Sequence, residues 1–109
     1  MDTQFTPIES LDAVDRLVEK SQQQPVVLFK HDTHCSISAA AYREMSQFEG
    51  EVALVDVGRH NDIAQEIAKR TGIKHESPQV IVFDNGKPTW SASLYDITHG
   101  ALDQALHGG

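Results

Sequence analysis

Cysteine is almost absent from this sequence: Cys35 is the one example among 109 residues. A lone cysteine excludes an intramolecular disulfide and any self-contained dithiol cycle, and it fits a reducing compartment. Whatever Cys35 does, an outside thiol must complete it. Basic residues are also scarce, with nine Lys and Arg against sixteen Asp and Glu and a formal net charge of −7. That balance argues against nucleic acid or an anionic membrane as partner, because both bind through clustered Lys and Arg. No apolar run approaches the roughly 20 residues of a membrane span, and the opening segment MDTQFTPIES lacks the basic start and apolar centre of a signal peptide. These absences point to the cytoplasm. The length suits one domain over 1–109, with a core that needs neither disulfides nor a structural metal.

The hydrophobic pattern supplies the elements. Leu11, Val14, Leu17 and Val18 recur at helical spacing, predicting a helix over 10–21 with Ser10 as its N-cap. After Pro25, the run Val26-Val27-Leu28-Phe29 reads as a strand buried on both faces, ending at Lys30 and His31. A polar turn, Asp32-Thr33-His34, leads to a second helix over 36–49, with Ile37, Ala41, Met45 and Phe48 on one face and Gly50 as the stop. Residues 52–57 form another strand. Asn61 is the expected cap of a third helix whose Ile63, Ala64, Ile67 and Ala68 face inward, with Gly72 just past its end. Val80 to Phe83 and Thr89 to Leu94 flank Asn85-Gly86, the strongest short-range hairpin signal. A last helix over 96–107 turns Ile97, Ala101, Leu102, Ala105 and Leu106 inward, while Trp90 and Tyr95 are expected to pack. The order α-βαβαββα predicts an α/β fold with a four-stranded mixed sheet flanked by helices.

Chemistry centres on Cys35. A thiol at a helix start, just after a buried strand and among polar neighbours, sits where the positive end of the helix favours a thiolate. Ser36 and the first-turn amides, the Ser38 hydroxyl, and His34 and His31 are the expected stabilising groups. His31, His34, Cys35 and His75 have the donor chemistry of metal ligands, but their spacing matches no compact zinc motif, so no metal site is expected. Lys30, Lys69, Arg70 and Lys74 are candidates for the anionic end of a thiol cofactor. Pro78, immediately before a buried strand, is either a strand-start proline or, with a cis bond, a means of presenting the backbone of Ser77 to a substrate chain.

Strand, turn, cysteine at a helix start, then Gly72-Ile73, a proline before a strand, Phe83 and Asn85-Gly86-Lys87 resemble the thioredoxin superfamily over nearly the whole chain. Within it, Phe29-Lys30-His31, Thr33-His34-Cys35-Ser36-Ile37-Ser38, Lys74-His75-Glu76-Ser77-Pro78-Gln79 and Asp96-Ile97-Thr98 are similar to the monothiol bacilliredoxins, the YtxJ-like proteins of the bacillithiol system. The resemblance implies a thiol–disulfide oxidoreductase that removes bacillithiol from mixed disulfides on client proteins. Cys35 is then the nucleophile and Pro78 a cis-proline facing it, with Lys30, Thr33, His75, Ser77, Pro78 and Gln79 contacting substrate or cofactor. Bacillithiol is the implied co-substrate, with no tightly bound cofactor, and the implied partners are bacillithiolated clients and the bacillithiol reductase. Ser38 stands at the last position of the Cys-x-x-Cys pattern, which fits a monothiol protein. Ser36 departs from the family, which usually has proline there. Two other readings remain open on these residues: a metal or iron–sulfur module built on the lone cysteine, and a non-catalytic adaptor that holds a partner with the Pro78 loop.

Overall fold

A computed structural model describes residues 4–108. One five-stranded sheet, in the order β1-β3-β2-β4-β5, runs through the centre. Its strands are β1 (Gln4–Pro7), β2 (Val26–His31), β3 (Glu51–Asp56), β4 (Gln79–Asp84) and β5 (Lys87–Ser93). The helices are α1 (Leu11–Lys20), α2 (Ser36–Gln47), α3 (Asn61–Thr71) and α4 (His99–His107), and a single 3-10 turn, Leu94–Asp96, precedes α4. β2 and β3 are parallel across the α2 crossover, whereas β4 pairs antiparallel with both β2 and β5. The mixed sheet and its flanking helices are as expected, but there are five strands rather than four. β1 adds parallel to the outer edge of β3, Gln4 opposite Glu51.

Alternation along the strands builds two cores. Val26 and Leu28 of β2, with Ala53, Val55, Ile81 and Phe83, face Val14 of α1 and Ile63 and Ile67 of α3. Val27 and Phe29, with Val52, Val80 and Val82, face Ala41 and Met45 of α2 and Leu102 of α4. Lys30 therefore points to the α1/α3 side and His31 to the α2 side.

Helix ends follow local chemistry with some corrections. The Ser10 hydroxyl accepts the Ala13 amide at 3.1 Å, as an N-cap should. Gly72 ends α3 in the left-handed conformation, φ 72°. Asn61, however, is the first residue of α3, and His60 occupies the cap position without a side-chain bond. α2 stops at Gln47, with Phe48 already extended, before Gly50 is reached. The last helix begins at His99, not 96, because the 3-10 turn intervenes and Thr98 caps the helix by accepting the Ala101 amide. Ala105 is exposed, and so is Tyr95, at 73%, instead of packing. At the hairpin, Asn85 and Gly86 both have positive φ, the geometry a two-residue turn of right-handed twist demands.

Candidate active site

Cys35 closes the turn that leaves β2 and opens α2. Asp32 organises that turn: its Oδ1 accepts the His34 amide at 3.0 Å, and its carbonyl accepts the Cys35 amide at 3.2 Å. This is an Asx turn, whose signature is the Asp two residues before His34 in the sequence. Cys35 has the extended backbone of an N-cap, its carbonyl accepts the Ala39 amide at 3.1 Å, and its side chain makes no capping bond. The free thiol is partly exposed, beside the amide end of a 12-residue helix. Thr33, His34 and Ser36 surround it as exposed residues.

Ser38, one turn on, is completely buried. Its hydroxyl accepts the Asp32 amide at 2.8 Å and lies 2.9 Å from His31 Nδ1. Burial holds His31 below its ordinary pKa, against the opposing pull of Asp56 and Asp32. A neutral ring with an unprotonated Nδ1 is then the natural acceptor for the Ser38 hydroxyl. Both groups were expected to act on the thiol; they are instead bonded to each other and to the Asp32 amide, so they shape the turn that carries it. The His31 ring is held between Phe29 and Tyr42, with centroids 5.3 and 5.0 Å away, and Tyr42 stacks on Phe5 of β1 at 4.7 Å. A shallow cleft of about 270 Å³ lies here, lined by His31, Thr33, Ala39, Tyr42 and Arg43. The larger cavity, about 500 Å³, includes Val26, Val27 and Phe48 and lies at the opposite end of β2.

The β2–β4 register brings the second part of the site alongside. Lys30 pairs with Gln79, so Pro78 falls level with His31, where the chain leaves the sheet toward Cys35. The Ser77–Pro78 bond is cis, and the Pro78 carbonyl accepts the Leu94 amide at 3.0 Å, Leu94 taking a positive φ of 57°. Ser77 is half-buried and Pro78 fully buried. Lys30 and Gln79, expected to contact substrate or cofactor, are instead both buried, at 0% and 1% exposure. The Lys30 ammonium donates to Gln79 Oε1 at 2.8 Å and lies 3.1 Å from His75 Nδ1. The Gln79 amide nitrogen donates to the Lys74 carbonyl at 2.9 Å and the Ser93 hydroxyl at 3.2 Å. Burial lowers the Lys30 pKa from its ordinary 10.5 to about 8. His75 is half-buried and also lowered, by burial first and by the Lys30 charge second, with Glu76 opposing. Arg70 does not reach this region as a free cation, since it pairs with Asp15 and Glu66. Among the described residues, no group of three or more His, Cys, Asp or Glu is placed to hold a metal ion, and no helix is long and apolar enough to cross a membrane.

A mixed sheet in this order, a cysteine capping the helix after β2 and a proline leading into the antiparallel β4 define the protein as one of thioredoxin fold. Solved structures agree: one described as "A putative oxidoreductase with a thioredoxin fold" superposes with a TM-score of 0.86 and 32% identity, over 93% of this chain and 92% of that one. Thioredoxins from Trypanosoma brucei brucei (TM-score 0.73, 19% identity, 96% and 89% covered) and Malassezia sympodialis (0.68, 19%, 99% and 91%) share the fold. Residues 6–102 match the family model of the monothiol bacilliredoxin BrxC. The chain belongs to the monothiol bacilliredoxin family, and with it to thiol redox chemistry.

Proposed function

We propose that this protein strips bacillithiol from mixed disulfides on client proteins, with Cys35 as nucleophile. The observation that carries the reading is the Cys35 thiol: partly exposed, free of capping bonds at the start of α2, and one helical turn from a serine in place of a resolving cysteine. The Cys35 thiolate attacks the bacillithiol sulfur, a Cys35–bacillithiol disulfide forms, and the client thiolate leaves and takes up a proton from water. A second bacillithiol thiolate then attacks the capping sulfur, releasing bacillithiol disulfide and restoring Cys35. The reductase of that disulfide supplies the electrons. Thr33, His34 and Ser36 form the exposed rim that meets the substrate, with Ser77, held by its cis bond to Pro78, offering backbone on the β4 side, in a cytoplasmic setting with bacillithiol as co-substrate.

Intact mass of the purified protein before and after incubation with bacillithiol disulfide tests this, alongside Cys35→Ser. One thiol-reversible bacillithiol adduct on the wild type, absent from the variant, is the expected result. A wild type inert to both bacillithiol disulfide and glutathione disulfide would overturn it.

A further inference from the structure

A lysine with no exposed surface is rarely tolerated, because its charged head loses its hydration. Lys30 is such a residue, and among the described residues its bonding partners are the neutral groups of Gln79 and His75, with no carboxylate to offset the charge. A methionine would fill the same space without that cost, so the ammonium group itself needs an explanation. An ammonium group has three donors and no acceptor. Its contact with His75 Nδ1 therefore makes that nitrogen the acceptor, and the proton of the neutral ring must reside on Nε2. His75 Nε2 has no protein partner among the described residues, and it is not a buried unpartnered atom as His60 Nε2 is. The ring is partly exposed, two residues before Ser77.

We propose that Lys30 is a positioning residue for thiol exchange: from inside the fold it fixes His75 as the Nε2–H tautomer, making that ring a hydrogen-bond donor to an anionic group of the incoming thiol substrate. Gln79 completes the device. It accepts from Lys30 and donates to the Lys74 carbonyl, so the two ends of the segment from Lys74 to Gln79 are tied to each other and, through Gln79, to β2. Lys30 thus never touches the substrate, and His75 does.

The exchange part of this inference rests on the proposed function, but the tautomer is measured independently of it. Long-range proton–nitrogen correlation spectra of the wild type near neutral pH should show His75 protonated on Nε2 alone, and Lys30→Met should give a mixture of tautomers. In stopped-flow exchange with a bacillithiol mixed disulfide, Lys30→Met and His75→Leu should slow the reaction about tenfold, with alkylation of Cys35 by iodoacetamide unchanged. His75→Gln, which keeps an N–H donor, should recover most of the rate. A wild-type His75 protonated on Nδ1 overturns the proposal whether or not Lys30→Met folds, and so does a His75→Leu protein that exchanges at the wild-type rate. A wild type with the expected tautomer but no exchange would count against the proposed function while upholding the fixed His75 ring.

Discussion

The Ser38 hydroxyl and His31 Nδ1 meet at 2.9 Å, and this contact ties the last residue of β2 to the first turn of α2. The same hydroxyl accepts the Asp32 amide, so one buried oxygen fixes both ends of the loop that displays Cys35. In a dithiol relative of this geometry, the position would hold the resolving cysteine. Here it holds the loop instead.

Ser38→Ala should therefore act on stability as well as on the site. It leaves the Asp32 amide and the His31 ring without their partner, an expected cost of about 1–3 kcal/mol in urea unfolding. A change within about 0.5 kcal/mol, the range of an ordinary surface substitution, would show that the Asx turn of Asp32 suffices by itself.

Lys30 predicts an alkaline effect of definite sign. The folded amine titrates at about 8 and the unfolded one at its ordinary 10.5. Between these values the unfolded chain holds a proton that the folded chain has lost, so raising the pH favours folding. Wild type should gain stability relative to Lys30→Met as pH rises from about 8 toward 10.5. Parallel stability profiles for the two proteins would mean the ammonium is not desolvated.

Glu44 predicts an acid effect. Its Oε1 accepts the His99 amide at 2.9 Å and lies 2.9 Å from His99 Nδ1, tying α2 to the start of α4. The backbone and side-chain bonds from His99 hold the carboxyl below its ordinary pKa. This contribution is present above about 4.3, the value for a free glutamate, and is lost as pH falls through the lowered folded value. Glu44→Gln should be less stable than wild type at neutral pH, with the gap closing below about pH 4. Equal stability at neutral pH would show the contact to be energetically idle.

Gly72 tests how the loop before Pro78 is launched. Its φ of 72° ends α3, and a Cβ built there meets no atom. Gly72→Ala should thus cost only the left-handed backbone penalty, about 1–2 kcal/mol, as read from thermal unfolding. No loss would mean α3 can end in another conformation.

The sequence was a good guide where a residue's role is local. Ser10, Gly72 and Asn85-Gly86 act through their own backbones and near neighbours, and each occurs where its chemistry predicts. β1 was not legible because Gln4–Pro7 is short, carries a proline, and buries little of itself, with only Phe5 half-covered. Its strand character comes from the unpaired edge of β3, which no local pattern reveals. Tyr95 was misplaced for a related reason: the 3-10 turn before α4 shifts the helical phase and turns its ring outward.

By itself the sequence determined the alternation of strands and helices, the lone cysteine at a helix start, and the proline ahead of β4. Each follows from residue type and spacing over a few positions. Tertiary structure alone decided what Lys30, His31, Ser38, His75 and Gln79 do. Which face of β2 each residue joins, and what covers that face, depends on packing between separate elements, which for Lys30 and His75 lie 45 residues apart. A polar side chain declares its chemistry in the sequence, but its partner is set by the packing that encloses it.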